Sequence, residues 1–411
     1  MPSLCLYFKV HQPYSLKPYH AAEIDKVHCY EDAIADKNNI NKVADECYLP
    51  ANKILLEAIK ASGNHFKVAF SISGVTIELL QKYRPDVLDS FRELVDTGCA
   101  DIIGETYYHS LSFLHSEKEF ERQVLKHRES IENIFGIPPV VFRNTELIYN
   151  NQLAATIAAL GFKGILCEGI DRLLQGRNEN KLYAAPGIEN DFSVLLRNMQ
   201  LSDDIAFRFA EEGWDKHPLT AGKFAEWIFL HPADTQVINI FLDYETFGIH
   251  KPAVTGIFDF LKALPAAMLN NSEWKFSTPA EAVDEYYPTD IYDVQKTISW
   301  KDQEKESCVW CENMMQNNTL KKVYSLARLV MQSDDEHIKN TWGRLQAADY
   351  FYYMNDSACS GISRRYQNPF SSAQQVFQYY SRILTDFEIS LIKKALGRNA
   401  AFQYSSVGLL Y

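Results

Sequence analysis

Two acidic residues stand at matching places in the chain. In "VVFRNTELIY" the run Val140–Phe142 gives way to Arg143, Asn144, Thr145 and Glu146, and in "VINIFLDYETFG" the run Val237–Leu242 leads directly into Asp243. Apolar runs of this length read as buried strands, and an unpaired charge in a core is prohibitively costly. Each acid is therefore expected where a strand emerges at the edge of a sheet. Two carboxylates flanking one bond are what glycosidic cleavage needs: one protonates the leaving oxygen while the other attacks or stabilises an oxocarbenium-like carbon. Taken singly, a strand-end acid is more often solvated or salt-bridged, so the chemistry rests on the two converging.

Other strand ends carry His11, Glu105, His109, Glu168 and Arg197. Two imidazoles and an aspartate could instead hold zinc, but neither H-E-x-x-H nor a pair of C-x-x-C motifs is present. Cys308 and Cys311 form a single C-x-x-C, which reads as two packed thiols beside Trp310. No G-x-S-x-G elbow supports a serine nucleophile. The charged stretch "KDQEKES" reads as a solvated connection.

Positioning such groups requires a recurring scaffold. Seven β-type runs are expected: Leu4–Val10, Phe66–Ser73, Ala100–Ile103, Val140–Phe142, Gly164–Cys167, Phe192–Leu196 and Val237–Leu242. Between several of them lie segments of helical period. One opens with the capping box at Ser116 and Glu119, continues through Phe120, Val124 and Ile131, and stops at Gly136. Another runs through Leu153, Ile157 and Leu160 to Gly161. Alternating strands and helices imply parallel strands with helical crossovers. The first strand ends in "HQPYSLKP" rather than G-x-G-x-x-G, which disfavours an open dinucleotide-binding sheet. The expected fold is an incomplete (β/α)7 barrel over residues 1–290, its strand-end side chains converging on one mouth. Beyond it, three long amphipathic segments predict a C-terminal helical bundle, 291–411, packing on the barrel.

The totals narrow the functional classes. With 53 acidic against 41 basic residues and a net charge of −12, the chain is a poor partner for nucleic-acid phosphate. No apolar run approaches the roughly 18 residues needed to cross a bilayer, so no membrane association is expected. "MPSLCLYFKV" lacks the features of a signal peptide, which predicts a cytoplasmic protein. Its eight cysteines, spread along 411 residues, suit reduced thiols. Oligomeric state is left open.

The motifs together resemble glycoside hydrolase family 57, the retaining α-glucan family of α-amylases, 4-α-glucanotransferases, branching enzymes and amylopullulanases. "HQP" at His11–Pro13, "IIGETYYHS" at Ile102–Ser110, "FRNTELIY" at Phe142–Tyr149, "LDYETFG" at Leu242–Gly248 and "WGRLQAADYFYYM" at Trp342–Met354 are similar, in order, to its five signature regions. The α-amylase-like branch is the most similar, although Ala348-Asp349-Tyr350 stands where that branch often has S-D-H.

The resemblance implies a (β/α)7 barrel followed by helices, with the nucleophile at Glu146 and the general acid/base at Asp243. It implies that His11, Glu105 and His109 line the sugar site and that Trp342 and Asp349 come from the helices packed on the barrel. Gln12 and Tyr107 complete the expected substrate-binding residues, with Tyr107 or Tyr108 and Trp342 expected as stacking platforms. The substrate would be starch, glycogen or a maltooligosaccharide, and the chemistry needs no metal or other cofactor. A 4-α-glucanotransferase or branching enzyme using the same residues, a metal-dependent deacetylase or mannosidase on a related barrel, and a non-catalytic glucan-binding protein are the alternatives.

Overall fold

The computed structural model describes residues 1–188, 192–300, 310–355 and 369–407, with side chains as far as residue 396. Its strands are β1 (Ser3–Val10), β2 (Val68–Ile72), β3 (Ala100–Ile102), β4 (Val141–Arg143), β5 (Gly164–Glu168), β6 (Leu182–Ala184), β7 (Ser193–Arg197), β8 (Val237–Asp243), β9 (Lys275–Phe276) and β10 (Asp290–Ile291). All seven expected runs are among them. Every residue of β1 is buried, as befits a parallel strand covered on both faces.

The parallel strands close on themselves. β1 pairs with β2 and β8, β2 with β3, β4 with β5, and β5 with β7. The gap between β3 and β4 is bridged by Gly104, which receives Arg143 N–H and donates to the Val141 carbonyl at 2.7 and 2.9 Å. A single register pair, Arg197 with Asn239, joins β7 to β8. The result is the seven-stranded β/α barrel. β6 is an antiparallel addition to β7, β10 pairs with β6, and β9 runs beside β1.

Alternation along the strands sorts side chains between the ring's interior and the helices outside. Cys5, Tyr7, Ala69, Ile103, Val141, Leu166, Leu195, Val237 and Phe241 form one interior cluster, with Tyr7 and Phe241 edge to face at 5.2 Å. The opposite face of β1 sends Phe8 against Phe70, Tyr244 and Phe247. The expected helices form at Glu117–Phe135 and Asn151–Ala159. Ser116 Oγ accepts from Glu119 N, and Asn150 caps the second helix through Leu153 N.

The chain falls into two compact units. The barrel unit comprises residues 1–12, 37–107 and 120–306. The other joins residues 307–411 to two earlier segments, 13–36 and 108–119, so the division is not the single cut after residue 290 that the sequence suggests. Pattern breaks mark linkers along the chain, and excursions that leave a barrel and return carry no such mark.

In the second unit the helices are Met314–Ser325, Ala327–Met331, Glu336–Arg344, Ala348–Tyr353 and Ala373–Val407. A break between Arg344 and Ala348 separates two of them. Buried Asp386 on that helix accepts from Tyr30 Oη, His28 Nδ1 and Asp25 N, binding residues 13–36 into this unit. "KDQEKES" and Cys308 lie outside the described residues, and Cys311 is half-buried. Among the described residues no helix is long and apolar enough to cross a membrane.

Candidate active site

The inward face of β1 changes character along its length: Cys5 and Tyr7 are core, Lys9 and His11 are polar. Lys9 is in register with Asp243 on β8 and with Ser71 on β2. Its Nζ lies 2.9 Å from Asp243 Oδ1 and 3.9 Å from Glu146 Oε1, and its side chain is only 7% exposed. One ammonium therefore reaches both candidate acids, although they are almost a hundred residues apart in sequence. The sum of the two distances limits the separation of those oxygens. That limit admits the ~5–5.5 Å separation of the carboxyl groups in retaining enzymes.

Glu146 follows β4 in a short turn, Thr145–Leu147, and takes φ +56°, ψ +26°; Leu147 also has a positive φ of +52°. L-residues rarely adopt this left-handed conformation, which costs roughly 1–2 kcal/mol per residue. With this turn the Glu146 carboxylate lies within reach of Lys9 on β1. Its Oε2 accepts a hydrogen bond from Trp300 Nε1 at 2.8 Å.

Arg143, two residues beyond Val141 on the same inward face, is buried. Burial works against its charge, but Tyr7, Glu105, Glu146 and Asp243 around it raise its pKa, so it is a fixed cation beside the acids. Glu105 Oε2 is 3.7 Å from Arg143 Nη1. Asp243 is 17% exposed in its side chain, more open than Glu146.

At the rim, His11 Nδ1 meets Ser73 Oγ at 2.7 Å, and Gln12 Nε2 donates to Glu245 Oε1 at 3.2 Å. Tyr48 Oη donates to the same Glu245 oxygen. Burial, and next the nearby Asp243 charge, push the Glu245 carboxyl up to about 7. A second acid two residues beyond Asp243 is therefore largely protonated below neutrality.

The barrel unit thus brings together Glu146, Asp243, His11, Gln12 and Glu105. Glu105 is completely buried and faces Arg143 and His127, so it offers no surface to a sugar. Tyr107 lies against Gly74, donates its hydroxyl to Glu78 and is covered by Lys126 Nζ at 3.9 Å from the ring centre, which leaves little face for stacking. Glu168 and Arg197 are register partners on β5 and β7 and bond each other, with Asp203 completing a separate ion network.

His109, Trp342 and Asp349 belong to the second unit, as does Tyr108. Trp342 is fully buried, donates Nε1–H to the Val323 carbonyl and meets Tyr324 edge-on, so it is packed inside the helices rather than open as a platform. Tyr108 bonds Asn340 and its ring rests on Gly343. His109 has φ +50° and its carbonyl receives Ala348 N–H. Asp349 is buried in the helix that follows.

Lys9, Arg143 and Trp300 are absent from the residues the sequence singled out. Lys9 carried a signal: it sits on the same alternating face as His11. Trp300 carried none, since its partner is 154 positions away.

The profile of Glycosyl hydrolase family 57 matches residues 5–295, and the chain belongs to that family of glycoside hydrolases. A Methanocaldococcus jannaschii protein named "Putative alpha-amylase" is 38% identical over 405 residues, covering 95% of this chain and 85% of that protein. An alpha-amylase from Pyrococcus abyssi is 24% identical over 145 residues, 35% of this chain and 22% of its own. Among solved structures, a 4-alpha-glucanotransferase from Thermococcus litoralis has a TM-score of 0.67 at 15% identity, with 93% of this chain and 59% of that one covered. A branching enzyme of the same family from Thermococcus kodakaraensis has a TM-score of 0.64 at 14% identity, covering 96% and 93%. At these identities the structural likeness speaks for the shared fold.

Proposed function

We propose that this chain is a retaining, α-amylase-like glycoside hydrolase of α-1,4-glucan, with Glu146 as nucleophile and Asp243 as acid/base. The observation that carries the reading is that one buried ammonium touches both carboxylates at the strand ends of the barrel. Family membership and the alpha-amylase names of the archaeal relatives support the substrate class.

In the first step Glu146 Oε bonds to the anomeric carbon while the C1–O bond breaks and the leaving oxygen takes the proton of Asp243. In the second, Asp243 removes a proton from water, the oxygen of that water bonds to C1, and the ester to Glu146 breaks. His11 and Gln12 at the rim supply hydrogen bonds to sugar hydroxyls. Among the described residues no group of three or more His, Cys, Asp or Glu is arranged to hold a metal ion.

The test is product analysis on maltooligosaccharides, amylose and glycogen with the parent, Glu146→Gln and Asp243→Asn. The expected result is α-configured shorter oligosaccharides from the parent and almost none from either variant. Undiminished release by Glu146→Gln overturns the assignment. Longer oligosaccharides, or new branches, from the parent would make it a transferase using the same pair.

A further inference from the structure

An acid/base must carry a proton in the first step, yet Asp243 is paired with an ammonium that favours its carboxylate. We propose that Lys9 is a positioning residue that governs this proton: it holds Asp243 as the carboxylate in the free enzyme and turns to Glu146 when the glycosidic oxygen arrives. The inference rests on the assignment of Glu146 and Asp243 above and adds the device that controls them.

Three observations carry it. Lys9 is fixed from below, because β1 is buried throughout and in register with β8, so its ammonium can swing only within the mouth. It stands 2.9 Å from one acid and 3.9 Å from the other, so a small rotation of its terminal bonds exchanges partners. Asp243 is the more exposed acid, the one that solvent and an incoming oxygen can reach.

Charged and titratable groups on the neighbouring elements fit the same picture. From β1 comes Tyr7 and just beyond it His11, beyond β3 Glu105, from β4 Arg143, and beyond β8 Glu245. Arg143 keeps one positive charge near both acids whichever of them Lys9 faces. The balance is simple. With the Lys9 contact gone, Asp243 takes one proton from solvent, passes it to the leaving oxygen, and regains one from the attacking water. Lys9 stays an ammonium and transfers nothing.

An opposite charge within about 4–6 Å lowers a carboxyl pKa by roughly 1–3. Removing it therefore raises that of Asp243, and more weakly that of Glu146. In Lys9→Gln and Lys9→Met the alkaline limb of kcat/KM, which reports the free-enzyme acid, should move upward by about 1–3 pH units. The acid limb should follow by less, and Lys9→Arg should restore both. A merely structural Lys9 would lower kcat/KM with both limbs in place.

A second readout needs no substrate. In carboxyl-13C-aspartate enzyme, the Asp243 resonance, identified by its loss in Asp243→Asn, should titrate at higher pH in Lys9→Gln and Lys9→Met and return in Lys9→Arg. An unmoved midpoint in both neutral variants overturns the role of Lys9 while leaving the two acids as assigned. A parent inactive on α-glucans overturns the functional reading, and the titration still decides whether Lys9 governs Asp243.

Discussion

Trp300 Nε1 donates to Glu146 Oε2 at 2.8 Å, joining a side chain outside the barrel strands to the carboxylate that would attack the sugar. As a nucleophile Glu146 must act as the carboxylate, and hydrogen bonds to charged groups contribute about 1.5–3 kcal/mol. Trp300→Phe keeps the ring and removes the donor. It should lower kcat/KM on maltooligosaccharides roughly 10- to 100-fold, read from steady-state rates, and lower the thermal midpoint by a few degrees.

The two acids are separable by leaving group. General acid catalysis is worth about 10²–10⁴, and an acidic phenol leaves without help. Asp243→Asn should therefore lose that factor on maltooligosaccharides but much less on nitrophenyl α-maltosides. Glu146→Gln should be inactive on both. Equal losses for Asp243→Asn on the two substrate types would remove it as the acid.

Glu245 predicts a pH dependence of stability. Its folded pKa, raised to about 7 by burial and then by Asp243, exceeds the unfolded value near 4.5. The folded state thus binds the extra proton between these limits, so this contribution is complete below about pH 4.5 and is lost as pH rises through about 7. Asp101, Glu168 and Glu179, each pushed to about 7 chiefly by burial, add to the slope. The melting temperature should fall between pH 5 and pH 8, and Glu245→Gln should fall less steeply. An identical slope in that variant would contradict the buried, protonated Glu245.

Gly248 closes "LDYETFG" with φ +106°, and a Cβ there would stand 1.9 Å from the Glu46 carbonyl oxygen. Neither the backbone angle nor the contact tolerates a side chain. Gly248→Ala should destabilise by at least about 1–3 kcal/mol, measured by urea unfolding.

Much of this was legible before any coordinates. The seven strands showed because parallel strands buried on both faces are nearly continuous apolar runs. Glu146 and Asp243 showed because each follows such a run. β6, β9 and β10, two or three residues each, are too short to carry a pattern. Lys9 lies within an otherwise apolar run and so draws no notice as a site residue, although every second residue from Cys5 to His11 faces inward. Trp342 looked like a platform because its sequence neighbourhood resembles a signature region, and such motifs do not say which side of a helix is covered. The interleaving of 13–36 and 108–119 with the C-terminal helices left no trace in composition or period.

The left-handed turn at Glu146 has a corollary. Asparagine or glycine would sit there at lower backbone cost, and both would be chemically mute as nucleophiles. Glu146→Gly relieves that backbone cost but strips Trp300 Nε1 of its acceptor, so it should lose catalysis without a gain in melting temperature. The carboxylate thus helps to hold in place the bend that presents it.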